Sequence, residues 1–90
     1  MLEELSMRRF GEKLRYLRKQ RSWTLKEFAT CLGRISHGYI SEIETGKKIP
    51  TLGFVLMVSR ILDVPVDQLV KDELEVKIEK RYKISIKKRS

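Results

Sequence analysis

The chain has 90 residues, 41% of them hydrophobic, and a formal net charge of +8. That length suits one domain with one modest core, and the hydrophobic content excludes global disorder. The basic balance favours a polyanionic partner, and the longest apolar run, Phe54–Val58, is far too short to span a membrane.

Apolar residues Met7, Phe10, Leu14 and Leu17 recur at spacings of three, four and three. They predict a first helix from about Ser6 to Gln20 with Arg and Lys on its other faces. Trp23 then follows as a plug for the core. Thr24 is a good N-cap, and Glu27 three residues on completes a capping box for a second helix. Phe28, Ala29 and Leu32 form that helix's inward face, and Gly33 ends it in left-handed geometry. The single cysteine, Cys31, falls in this apolar pattern and reads as a small buried hydrophobe. One cysteine permits no intrachain disulfide, which fits a reducing cytoplasm.

Ser36 caps a third helix whose apolar face is Tyr39, Ile40 and Ile43, and Gly46 stops it. A basic loop, Lys47-Lys48-Ile49-Pro50, leads to Thr51, the cap of a fourth helix reaching about Leu62. This helix carries two apolar stripes. Leu52, Val55, Leu56, Ser59 and Leu62 make one; Phe54, Met57, Val58 and Ile61 make the other. Pro65 and Asp67 introduce a short fifth helix through about Lys71, with Leu69 and Val70 inward.

The character of the chain changes near Asp72. Val76, Ile78, Tyr82, Ile84 and Ile86 alternate with charged or polar residues, broken only at Lys80. Period two with β-branching predicts a C-terminal strand or arm. The expected organisation is a mainly α unit over residues 1–71 and a basic β-like extension over 72–90.

Two capped helices separated by a tight turn at Gly33 describe a helix-turn-helix. Over Phe10–Leu69 the chain resembles the lambda-repressor/Cro-type DNA-binding domain, the XRE family. The resemblance is carried by Leu17-Arg18, Thr24, Phe28-Ala29, Leu32-Gly33, Ser36, Tyr39-Ile40-Ser41, Ile43-Glu44, Gly46-Lys47, Pro50, Leu62, Val64 and Leu69. It implies a compact five-helix fold that binds double-stranded DNA, as a homodimer on a palindromic operator, and regulates transcription, most readily as a repressor. The other reading is an antitoxin-like autoregulator whose tail, residues 72–90, binds a protein partner.

Roles carry over by position. Ala29 matches the small residue where the second and third helices touch. Arg18 and Glu44 match an ion pair joining the first helix to the end of the third. His37, Gly38, Ser41 and Glu42 match the positions that face DNA bases. His37 reads equally as a solvated surface residue, and Glu42 either accepts from a cytosine amino group or forms a surface salt bridge. Thr45, Lys47 and Lys48 match the loop that grips phosphate, and Lys26 reads as a phosphate contact on the other flank. Tyr39 reads as a phosphate contact or as packing.

The chain departs from the family in three places. Leu25 replaces a frequent Gln after the second helix's cap, the turn Gly33-Arg34-Ile35-Ser36 is one residue longer than usual, and Ser59 replaces Ala. The family leaves Phe54, Met57 and Ile61 unexplained. They are expected to join Val76, Ile78, Tyr82, Ile84 and Ile86 in a dimer contact, with an intrachain fold-back of the tail as the alternative.

No cofactor and no metal is expected, because His37 is the only histidine and no cysteine pair accompanies it. No acid–base or nucleophile constellation can be built around that histidine, so the chain reads as a non-enzyme.

Overall fold

The computed structural model describes residues 7–76. It is mainly helical, with five helices among the described residues: α1 Phe10–Gln20, α2 Leu25–Cys31, α3 His37–Glu44, α4 Leu52–Leu62 and α5 Val66–Val70. Residues 77–90, which hold Ile78, Tyr82, Ile84 and Ile86, lie outside the described range, and no strand occurs within it.

Each helix begins where its local chemistry directs. Thr24 accepts from the Glu27 amide while the Glu27 carboxylate accepts from the Thr24 amide, a closed capping box. Ser36 accepts from the Gly38 and Tyr39 amides, and Thr51 from the Phe54 amide. The first helix starts at Phe10 rather than near Ser6. Its cap comes from far along the chain. The Asp72 carboxylate accepts from the Arg8 amide at 3.1 Å and the Arg9 amide at 2.9 Å, so a side chain 63 residues away closes the amino end of α1.

The opposite end of the same junction is closed by Lys13. Its ammonium donates to the Gln68 carbonyl at 2.6 Å and the Lys71 carbonyl at 2.7 Å, capping α5 where the helix dipole is negative. Lys13 is buried despite its charge, and burial pulls its pKa down. Arg9 adds a bond to the Asp72 carbonyl and two to the Glu75 carboxylate. Residues 72–76 are thereby fastened to α1, past the change of character near Asp72, and Val76 packs against the core.

The core joins Phe10, Leu14 and Leu17 of α1 to Phe28, Ala29, Ile40, Ile43, Val55, Val58, Leu62 and Leu69. Trp23 stacks on Phe28, ring centroids 5.5 Å apart. At Gly11, α1 crosses α3 backbone to backbone. A Cβ there would run into the Ile43 carbonyl oxygen and stand 2.9 Å from that of Glu44. A glycine inside a helix lowers its stability, and here it lets two backbones meet.

Three readings need correction. Cys31 is exposed, not buried, at the last position of α2. The two stripes of α4 are also divided differently. Its inward arc is Phe54, Val55, Val58 and Leu62, while Leu52 and Leu56 face solvent. Phe54 therefore offers no surface to a second subunit. It lies 3% exposed against Phe10 and Tyr39, Met57 is half-buried on the core, and of the three only Ile61 is exposed.

Candidate nucleic-acid interface

The pair α2–α3 is joined by a turn through Gly33, Arg34 and Ile35. Gly33 and Arg34 are both left-handed, with φ of 89° and 67°. The Ala29 carbonyl then accepts from the Arg34 amide at 2.9 Å and the Ile35 amide at 3.2 Å. Two left-handed residues in succession turn the chain while Ile35 packs on the core. Left-handed geometry is strained for arginine, so a local cost preserves the seating of α3.

Packing, a close backbone approach and an ion pair hold α3 in place. Ile40 and Ile43 are buried, and Ala29, 6% exposed, lets α2 approach them. Gly11 admits the carboxyl end of α3 to α1. Arg18 then grips that end through two bonds to Glu44, Nε to Oε2 at 2.8 Å and Nη2 to Oε1 at 3.1 Å. A third bond from Arg18 reaches the Trp23 carbonyl at 2.8 Å, so the guanidinium links α1, the loop before α2 and α3. Both side chains are nearly buried, 11% and 5% exposed. Such a paired fork has little freedom to act elsewhere, which makes it a positioning device.

The opposite, amino-terminal edge of α3 is wet. His37 and Gly38 are exposed, and Ser41 and Glu42 are half-exposed. Glu42 meets Lys48 at 3.4 Å, with side chains 45% and 55% exposed. Lys48 also lies over the Tyr39 ring, 5.8 Å from its centroid. Tyr39 is half-buried, edge-on to Phe54 at 5.2 Å, and its hydroxyl lies 3.5 Å from the Thr51 amide. Thr45 donates to the Ser41 carbonyl at 3.0 Å at the exposed end of the helix. Lys47 and Lys26 are exposed, and neither ammonium has a partner within the described residues. His37, Gly38, Ser41, Glu42, Lys47 and Lys48 thus lie along α3 and the loop that follows, with Lys26 on α2.

Several participants were not visible as such in the sequence. Leu25 packs against the core, which explains an apolar residue after the cap of α2. Ser59 donates to the Val64 carbonyl at 2.7 Å, bracing the left-handed bend at Asp63. No group of three His, Cys, Asp or Glu side chains that could hold a metal occurs among the described residues. No helix there is long and apolar enough to cross a membrane.

This arrangement presents a short, firmly seated helix with a polar amino-terminal edge and free cations beside it. An α-helix fits the major groove, and cations flanking it meet phosphate. Comparison with known proteins agrees. The helix-turn-helix family model matches residues 14–69. The chain is 31% identical over 64 residues to YazB of Bacillus subtilis strain 168, described as an HTH-type transcriptional regulator, covering 71% of this chain and 91% of that protein. It also superposes on the N-terminal DNA-binding domain of SinR from Bacillus subtilis with a TM-score of 0.67 and 30% identity, covering 76% of this chain and 99% of that one.

Proposed function

The chain belongs to the helix-turn-helix family of DNA-binding regulators, and we propose that it acts as a transcriptional repressor that reads the major groove with the amino-terminal edge of α3. The observation that carries this reading is the contrast between the two ends of α3. The carboxyl end is locked by Arg18–Glu44, whereas toward the amino end His37 and Gly38 are exposed and Ser41 and Glu42 half-exposed.

In this reading His37, Ser41 and Glu42 face base edges, and Gly38 keeps the path to the DNA backbone clear. Lys26, Lys47, Lys48, Tyr39 and Thr45 hold phosphate. The exposed Glu42–Lys48 pair costs little to reopen, since such pairs are worth ~0–1 kcal/mol. On DNA, Lys48 turns to phosphate and leaves Glu42 to accept from a cytosine amino group. Two copies bind a palindromic operator, with Ile61 and Met57 on the side toward the second copy.

The test is selection of duplexes from a random pool, followed by Glu42→Ala and Lys47→Ala on the selected site. Glu42→Ala relaxes preference at one base pair by ~1–3 kcal/mol. Lys47→Ala weakens all duplexes alike and lowers the slope of log affinity against log salt by ~1. Uniform loss from both variants contradicts the assignment of Glu42.

A further inference from the structure

The turn before α3 favours glycine at two positions in succession, and the second of them is an arginine. Gly33 has φ of 89° and Arg34 has φ of 67°. Glycine or asparagine adopts that geometry at lower cost. The turn itself uses the Arg34 backbone, whose amide donates to the Ala29 carbonyl. The side chain is exposed, and its guanidinium has no hydrogen bond, ion pair or ring contact among the described residues. Strain kept at an exposed, unpaired cation points to a partner outside the chain.

The surroundings of Arg34 indicate the partner's charge. From Phe28 to Ser41 the chain holds no acidic residue. The nearest carboxylate in sequence, Glu27, is held on the Thr24 amide. Arg34 stands three residues before α3, and Lys47 stands three residues after it. The eight residues of α3 rise roughly 12 Å, about the width of the major groove. Cations at both ends of this helix can therefore meet the two phosphate walls of the groove that it enters.

We propose that Arg34 binds a DNA backbone phosphate beside the amino end of α3, on the flank opposite Lys47 and Lys48. The contact rests on the proposed function and adds to it the group that fixes the start of α3 in the groove. A guanidinium suits this role because its planar fork meets two phosphate oxygens at once. A phosphate contact carries no base information, so Arg34 sets affinity and register and leaves sequence preference to α3.

The test measures affinity of the full chain for a selected duplex and an unrelated one between 50 and 200 mM salt. Arg34→Gln should weaken both duplexes alike, about eightfold near 0.1 M salt, and lower the slope of log affinity against log salt by ~0.9. Arg34→Gly should bind as weakly yet unfold at a higher temperature, which excludes a loosened fold as the cause. Arg60→Gln, which neutralises an exposed cation on α4, should leave the slope unchanged. Equal losses in Arg34→Gln and Arg60→Gln would show a general charge effect and overturn the contact. A changed base preference in Arg34→Gln would overturn it in favour of base reading. Unchanged binding in Arg34→Gln, beside a weakened Lys47→Ala, would overturn the contact and leave the proposed function standing. A wild-type chain that binds no duplex at 50 mM salt would overturn the proposed function, and this contact with it.

Discussion

Arg18 and Glu44 form a two-pronged, nearly buried ion pair that fastens the carboxyl end of α3 to α1. Removing one partner strands the other away from water, which typically costs ~3–5 kcal/mol. Glu44→Ala should therefore lower the denaturation midpoint sharply, with a loss of about 3 kcal/mol in urea unfolding. The double variant Arg18→Met with Glu44→Leu should recover most of that loss, because no buried charge is left unpaired. A double variant no more stable than Glu44→Ala would contradict this and point to the Arg18–Trp23 bond, which the double variant also removes.

Gly11 is the point at which α1 and α3 touch through backbone alone. Ala is ordinarily the better helix former by ~1 kcal/mol. Here Gly11→Ala should reverse that preference and destabilise by roughly 1–3 kcal/mol, because backbone oxygens cannot yield as side chains do. Thermal unfolding checks the sign, and a stabilised variant would contradict the crossing geometry.

Arg34 occupies the second of two left-handed positions in the α2–α3 turn. Arg34→Gly should stabilise by about 0.5–1 kcal/mol, the relief of a strained backbone less the entropy that glycine loses on folding. DNA specificity should be unchanged, since the seating of α3 stays the same. A shift in the selected operator would give the Arg34 side chain a reading role instead.

Glu75 bonds Arg9 at 2.9 and 3.2 Å, and the guanidinium holds its carboxyl below the ordinary value of 4.5. The folded state thus binds this proton less readily than the unfolded chain. The contribution is complete above about pH 4.5 and fades as pH falls through the folded value. In a carboxyl titration by NMR, Glu75 should have its midpoint below 4.5, and Arg9→Gln should return it to the ordinary range. An unchanged midpoint in Arg9→Gln would show that another group lowers it.

The five helices were legible because their signals are local. Thr24, Ser36 and Thr51 each announce a cap within three residues, and the spacing of Phe10, Leu14 and Leu17 marks one face. What escaped the sequence is long-range or angular. Asp72 capping α1 and Lys13 capping α5 join residues more than fifty positions apart, and no spacing rule brings them together. The division of α4 failed for a different reason. A helix so rich in apolar residues has no unique stripe, and only the position of Phe10 and Tyr39 decides that Phe54 turns inward and Leu52 outward. Cys31 was misread because it ends a short helix, where period gives little directional information. At the interface, residue types marked the edge of α3, but the partnership of Glu42 with Lys48 required the loop's return path.

The central claim is tested most directly by mapping amide and side-chain NMR shifts as a selected duplex is titrated into the labelled protein. The account predicts perturbations concentrated on His37, Gly38, Ser41, Glu42, Lys47 and Lys48, with Gly11 and Phe28 on the far side of α3 little changed. It also predicts an affinity that falls about a thousandfold between 50 and 200 mM salt if six phosphates are held. Perturbations centred on α4 or α5, with the start of α3 silent, would contradict it.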